Sequence, residues 1–148
     1  MDLNQAFEAL KTQNDTTVGA DWFQGRSLFG GVTAALMLVK LQYILDKPRR
    51  LRSLTVNFVG PINAAEAVHL DARVLRVGRS VVQGEVHLTQ GGDVLAVLLA
   101  SFGEARESKA VQKASTPAPT WQPPQDLPTQ RDFGMALSEQ GIPVVSGM

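Results

Sequence analysis

Residues 28–45 form a nearly continuous apolar run that opens with a pair of glycines: Leu-Phe-Gly-Gly-Val-Thr-Ala-Ala-Leu-Met-Leu-Val-Lys-Leu-Gln-Tyr-Ile-Leu. A helix formed here is apolar on nearly every side, so it has no face suited to water. We therefore predict a helix over residues 31–45 that other structure must wrap. The stretch Asp46-Lys47-Pro48 ends it, because a residue before proline is disfavoured in helical conformation.

The glycine pair at the helix start is the best candidate for chemistry. Gly30 and Gly31 leave bare backbone N–H groups at the positive end of the helix dipole. Such a place can hold a carbonyl oxygen or an anion. The structural alternative is that small residues are needed because a sheet passes close to the helix here.

Four strand segments follow the helix, at residues 51–59, 66–76, 79–90 and 93–103. The first three alternate apolar and polar residues, which predicts one buried and one wet face. The fourth is apolar on both faces, so we place it inside the sheet or in a subunit interface. A glycine within the third segment, Gly84, predicts a bulge or a close backbone approach.

The two ends of the chain differ in character from this middle part. Residues 2–11 predict a short amphipathic helix, and residues 12–27 predict a loop. Six of the eight prolines lie between residues 117 and 143. We therefore divide the chain into a domain at 1–106 and a proline-rich linker or extended arm at 107–148.

Composition excludes several classes of function. The 148-residue chain has 14 basic and 14 acidic residues, so no strong field would attract nucleic acid or an anionic membrane. It has no cysteine and only two histidines, which leaves too few ligands for a structural zinc site and no thiol nucleophile. No dinucleotide or P-loop fingerprint appears, so no cofactor is expected. The start of the sequence resembles no signal peptide and no apolar run could span a bilayer, so we expect a cytoplasmic protein.

Several motifs together resemble the acyl-CoA thioesterase II family over about residues 20–128. They are Phe-Gly-Gly-Val-Thr-Ala-Ala-Leu (29–36), Leu-Thr-Val-Asn-Phe-Val-Gly-Pro (54–61), Arg-Val-Gly-Arg-Ser (76–80), Leu-Ala-Ser-Phe (99–102) and the proline-rich stretch 117–128. The resemblance implies an α+β hotdog fold, in which a curved antiparallel sheet wraps a central long helix. It also implies an acyl-CoA thioester as substrate.

Members of this family usually carry two hotdog units, and this chain resembles the first. The family's catalytic Asp, its Thr or Ser and its Gln belong to the second unit. By resemblance, the Asp position corresponds here to Gly30, and the Gln position falls near Ser101. The chain departs from the catalytic pattern at both places, so no catalytic residue is assigned.

Seven residues are predicted to bind substrate: Phe29, Gly30, Gly31, Thr55, Asn57, Arg76 and Arg79. The first three form the helix start, where a thioester oxygen would lie. Thr55 and Asn57 would bind a water or the thioester. The alternative is that they are ordinary polar residues on a solvent-exposed face of the strand. The two arginines suit coenzyme A phosphates, or else are solvated turn charges.

Other charged residues have weaker claims. A second basic cluster, Arg49, Arg50 and Arg52, could reach a phosphate, although solubility of a strand edge is an alternative role. Asp21 is the carboxylate nearest the helix start that could substitute as a general base, and a surface-loop role is the alternative. Both histidines lie on polar strand faces.

The sequence therefore predicts a protein that hydrolyses acyl-CoA thioesters, or contributes half of a site that does so, in fatty acid metabolism. A lone hotdog sheet leaves an uncovered edge, so a homodimer or higher homo-oligomer through the sheet is expected. The alternatives are a non-catalytic acyl-CoA-binding module and the N-terminal fragment of a double-hotdog enzyme. A hotdog dehydratase is disfavoured, since such enzymes need a helix-region histidine and residues 20–45 contain none.

Overall fold

The computed structural model describes residues 2–63, 66–105, 107, 116 and 120. The chain divides into two units, Met1–Arg106 and Glu107–Met148. Nearly all of the second unit lies outside the described residues, so the proline-rich arm stays a prediction. Among the described helices, none has the length and hydropathy required to cross a membrane.

Two helices and seven strands form the first unit, together with one 3₁₀ turn. In chain order they are α1 (Leu3–Ala9), β1 (Asp15–Thr16), the 3₁₀ turn (Ala20–Trp22), β2 (Phe23–Gln24), β3 (Ser27–Leu28), α2 (Gly30–Tyr43), β4 (Arg50–Phe58), β5 (Val68–Val77), β6 (Val81–Gln90) and β7 (Asp93–Gly103). The predicted central helix and the four predicted strands are all present.

Five strands form one antiparallel sheet in the order β1-β5-β6-β7-β4, and β2 and β3 form a separate hairpin. The fourth predicted strand, β7, lies inside the sheet between β6 and β4, as expected. The loop predicted at 12–27 is wrong at three short strands, because β1 pairs with β5, and β2 pairs with β3, which begins at Ser27. A two-residue strand is too short to show a period, so sequence alone gives no signal for it.

Helix α2 packs across one face of the sheet. Its buried residues follow a helical spacing, and they are Val32, Thr33, Leu36, Met37, Lys40 and Leu41. The helix approaches the sheet closely at Gly84 of β6, where an added Cβ would lie 2.6 Å from Leu41 Cδ1 and 3.1 Å from the Arg73 carbonyl oxygen. This confirms the close backbone approach predicted from that glycine.

The wrapping of α2 is incomplete within one chain. Ala34, Ala35, Leu38 and Val39 are only half-buried, because the sheet and α1 cover the other side of the helix. The predicted arrangement of a sheet against a central helix is present, and within the single chain the sheet and α1 cover one side of that helix. An apolar helix flank is left for further structure to cover.

Strand β4 also departs from the predicted pattern. None of its nine residues is buried, although Leu54, Val56 and Phe58 were expected to form a buried face. The strand lies at the edge of the sheet and pairs only with β7. Its apolar side chains therefore lack a cover on the open side, and Phe58 is 59% exposed.

A buried lysine ties the two helices together. Lys40 lies in α2, and its Nζ donates hydrogen bonds to the carbonyl oxygens of Leu10 (3.1 Å) and Gln13 (2.7 Å). These carbonyls follow the C-terminus of α1, where helices leave acceptors without internal partners. The positive charge is also favourable at the negative end of the α1 dipole.

Candidate functional site

The start of α2 presents unpaired backbone donors. Phe29 precedes the helix in an extended conformation, and its carbonyl oxygen accepts from the N–H groups of Val32 (2.9 Å) and Thr33 (3.1 Å). The N–H groups of Gly30 and Gly31 have no acceptor among the described residues. They lie at the positive end of a 14-residue helix, where an oxyanion is stabilised.

This helix start is held in place by two other segments, one at Trp22 and one at Ile62. The Phe29 N–H donates to the Trp22 carbonyl oxygen at 2.9 Å. The Leu28 N–H donates to the Ile62 carbonyl oxygen at 3.1 Å, and the Ile62 N–H donates to Ser27 Oγ at 3.2 Å. The chain before the helix is therefore fixed to the loop that follows β4, which preorganises the two free donors.

Two aromatic rings flank the glycines. A Cβ built on Gly30 would lie 3.2 Å from the Phe58 ring, and one built on Gly31 would lie 2.7 Å from the Phe29 ring. Both rings are exposed and can turn away, and no sheet backbone lies this close to either glycine. A close approach of the sheet backbone therefore explains Gly84 but not the glycine pair.

Thr55 and Asn57 do not lie beside the helix start. They pair across the sheet with Leu99 and Val97, on the face opposite to that of Val56 and α2. Within one chain they cannot contact a thioester held at Gly30. Their predicted role in substrate binding has no support from this placement.

Arg76 and Arg79 line a cavity of about 350 Å³ at the turn between β5 and β6, which also includes Ser80. The Gly78 N–H closes this turn by donating to the Val81 carbonyl oxygen at 2.8 Å. The turn is far from the helix start. Arg76 pairs with Gln83 of β6, which pairs with Ser101 of β7, whereas Phe58, whose ring lies beside Gly30, pairs with Ala96 of β7. Five residues along β7 separate these rows, about 16 Å at the usual rise per residue.

The remaining candidates are engaged elsewhere or exposed. Asp15 Oδ1 lies 3.0 Å from His69 Nδ1 at the β1 edge, and His87 Nε2 lies 3.6 Å from Glu85 Oε1. Asp21 is exposed on the 3₁₀ turn, next to the residue whose carbonyl accepts from Phe29. Within the part of the chain that the structure describes, no cluster of acidic residues and histidines could hold a metal ion.

By the family resemblance, the position of the catalytic glutamine is predicted to fall near Ser101. Ser101 pairs with Ser53 and Gln83 on the face away from α2, so it does not approach the free N–H groups of the helix start. The sequence analysis missed Phe58 as a residue of this site, because the alternation of apolar and polar residues in β4 predicts that its side chain is buried in the core. Only the edge location of β4 exposes its ring beside Gly30.

Comparison with known families gives one match. Residues 18–103 match the model of the acyl-CoA thioesterase N-terminal domain. The chain belongs to this family. No curated protein matches the chain.

Solved structures show the same hotdog fold. A hotdog-fold protein of unknown function from Alicyclobacillus acidocaldarius is 29% identical, with a TM-score of 0.64 over 83% of this chain and 48% of that one. The tesB protein of Mycobacterium avium subs paratuberculosis is 18% identical, with a TM-score of 0.60 over 81% of this chain and 49% of that one. Thioesterase superfamily member 2 from Mus musculus is 19% identical, with a TM-score of 0.57 over 62% and 78%. This chain thus spans about half the length of the first two proteins.

Proposed function

We propose that the chain is one unit of an acyl-CoA thioesterase, in which the start of α2 binds the thioester carbonyl oxygen. The observation that carries this proposal is the pair of unpaired N–H groups at Gly30 and Gly31. Hydrolysis of a thioester places negative charge on that oxygen, and fixed donors at a helix N-terminus stabilise it. Family membership supports the same chemistry.

The reaction needs a water and a base besides these donors. Water attacks the thioester carbon, and collapse of the tetrahedral intermediate breaks the carbon–sulfur bond to give a free acid and coenzyme A. The base that takes the water proton is a carboxylate from a second hotdog unit. By resemblance, glycine occupies the family's aspartate position in this chain, so in a pair of identical chains this carboxylate lies at another position of the partner chain, and the proton then passes to the departing thiolate. Phe29 and Phe58 supply apolar walls for a fatty or aromatic acyl chain.

A second unit is required for the site to be complete. The exposed apolar residues of β4 and the half-buried flank of α2 leave one side of this unit without a cover. A second copy of the chain, or a second unit of the same fold, pairs along the β4 edge and covers both. We place the activity in fatty acid metabolism in the cytoplasm.

The test is hydrolysis of acyl-CoAs of several chain lengths by wild type and two variants. Gly30→Pro removes one N–H donor, and proline is tolerated at the first helical position after an extended residue such as Phe29. Loss of one oxyanion donor lowers kcat by about 100-fold to 1,000-fold. Gly30→Ala keeps the donor and is the matched control, so it should stay within a few-fold of wild type.

Absence of hydrolysis for every acyl-CoA, with a folded and paired wild-type protein, contradicts the thioesterase proposal. Equal activity of Gly30→Pro and Gly30→Ala contradicts the role of the helix start.

One alternative is a non-catalytic acyl-CoA-binding module. By resemblance, it is favoured by the absence of the family's catalytic aspartate and glutamine from the corresponding positions of this chain. Calorimetry with coenzyme A and acyl-CoA separates the two functions, since binding without turnover supports the module. Neither binding nor turnover supports a fragment that needs its other half.

A further inference from the structure

The amide of Gln90 is a buried polar group that the proposed reaction does not use. Gln90 is the last residue of β6 and is 7% exposed. Its Oε1 accepts a hydrogen bond from the Asn63 N–H at 2.8 Å, and its Nε2 donates to the carbonyl oxygens of Asn63 at 3.0 Å and of Glu66 at 3.1 Å. Both amide donors and the amide oxygen are therefore bonded to the loop that follows β4.

The segment that Gln90 holds is residues 59–63, which we call the strap. At its first end, the N–H groups of Val59 and Gly60 donate to the Leu95 carbonyl oxygen at 2.8 Å and 3.1 Å. At its last end, the backbone of Asn63 both donates to the Gln90 side chain and accepts from it. The strap is thus attached to β7 at one end and to β6 at the other.

The middle of the strap holds the start of α2. Ile62 is buried, its carbonyl oxygen accepts from the Leu28 N–H, and its own N–H donates to Ser27 Oγ. Leu28 lies two residues before Gly30, and Asn63 directly follows Ile62. A short path of hydrogen bonds therefore runs from the Gln90 amide through the strap to the segment that carries the free donors.

The bonding pattern at position 90 requires an amide. An amide offers two donors and an acceptor in one side chain, whereas a carboxylate offers no donor and an aliphatic chain offers neither. A carboxylate here would also place negative charge against two carbonyl oxygens. Without the amide, the part-buried Asn63 N–H loses its partner, and this cost favours movement of the strap toward another acceptor.

We propose that Gln90 is a positioning residue, which fixes the N–H groups of Gly30 and Gly31 through the strap. This role rests on the proposed function, because it concerns the oxyanion site at the start of α2. Oxyanion donors act only when they lie at hydrogen-bond distance from the developing negative charge. A displacement of about 1 Å lowers a rate by about 100-fold. Since the strap uses the whole Gln90 amide, the effect of Gln90 on the reaction is indirect.

Gln90→Met tests this role, because methionine keeps the length of the side chain and removes the amide. We expect kcat for acyl-CoA hydrolysis to fall by about tenfold to 100-fold with KM within a few-fold, since the donors act on the transition state. Hydrogen exchange measured by NMR should show the Leu28 N–H exchanging about tenfold faster relative to amides at the centre of β7. Gly84→Ala is the matched control, since it disturbs the packing of Leu41 near the other end of α2 and should leave kcat and this exchange ratio unchanged.

A double variant tests whether the effect passes through the strap. Ser27→Ala removes the acceptor of the Ile62 N–H on the other side of the strap. When both changes loosen the same segment, the double variant loses less kcat than the product of the two single losses. Gln90→Glu keeps the shape and the acceptor oxygen, and it replaces Gln90→Met in all these measurements if thermal unfolding shows that the methionine variant does not fold.

An unchanged kcat or an unchanged Leu28 exchange ratio in the Gln90 variant overturns the proposal, and so does an equal effect of Gly84→Ala. A rise in KM alone, or single losses of kcat that multiply in the double variant, also overturns it. Absence of hydrolysis by wild type contradicts the proposed function instead. In that case the exchange ratios still decide whether Gln90 holds the start of α2.

Discussion

The free edge of β4 can be tested with a single proline. The Val59 N–H donates to the Leu95 carbonyl oxygen at 2.8 Å, and no register shift occurs between residues 53 and 58. Since hydrogen bonding alternates along an antiparallel pair, Asn57 and Thr55 also bond to β7. The N–H of Val56 then points outward, to the open edge. Val56→Pro therefore removes a donor that the isolated unit does not use.

The expected effect on pairing is large. Leu51, Leu54 and Phe58 are 37%, 39% and 59% exposed, which together amounts to more than one whole side chain. Covering them contributes about 2–4 kcal/mol per chain. The proline removes about two hydrogen bonds at a two-fold axis, or about 1–3 kcal/mol. Its ring also holds the strands apart, so the dissociation constant should rise by about a hundredfold or more.

Sedimentation velocity over a range of concentrations measures this change. We expect wild type and Val56→Thr, which keeps the donor and the branched shape, to pair, while Val56→Pro is a folded monomer. Thr55→Pro is the opposite control, since it removes a donor used within the sheet and should lower the free energy of unfolding. A Val56→Pro protein that pairs as tightly as wild type, or a wild type that is monomeric at every concentration, refutes the reasoning.

Three further changes test the packing of the unit. Gly84→Ala should destabilise it by about 1–3 kcal/mol in urea unfolding, because the added methyl overlaps Leu41; unchanged stability would contradict the close approach. Lys40→Met should cost about 2 kcal/mol, since two carbonyl oxygens lose a charged donor; a neutral result would show that water replaces it. The Lys47 ammonium holds the pKa of Glu104 below its ordinary value, so this pair stabilises the fold above that value and loses its effect as pH falls through the lowered pKa. An NMR titration should show the pKa of Glu104 rising in Lys47→Met.

The elements with a clear period were predictable from sequence. The apolar run that begins at Gly30 predicts α2, the two-residue alternation predicts β4 to β6, and the continuous apolar run predicts β7, each to within two residues. Burial was predicted correctly only for residues that other elements of the same chain cover. Leu54 and Phe58 carry the pattern of a buried face, yet they are exposed, because β4 lies at the edge of the sheet.

The candidate site also has features that the sequence could predict and features that it could not. The free donors at Gly30 and Gly31 follow from local rules for helix ends, so sequence was enough to predict them. The approach of the Arg52 stem to Gly103, which also lies near Ser80, depends on the register of three strands and on a bulge, and no local pattern encodes either. The alternation predicts only that Thr55 and Val56 lie on opposite faces of β4. Which of these faces packs on α2 depends on the register of the sheet.

The hydrogen bonds from Lys40 of α2 to the residues that follow α1 limit where this unit can be truncated. The family match starts at residue 18, after α1 has ended. A truncation at that point would remove both oxygen atoms that Lys40 holds and leave an ammonium group among Leu36, Leu41 and their neighbours. Residues 2–13 therefore belong to the folding unit, although no motif marks them as part of it.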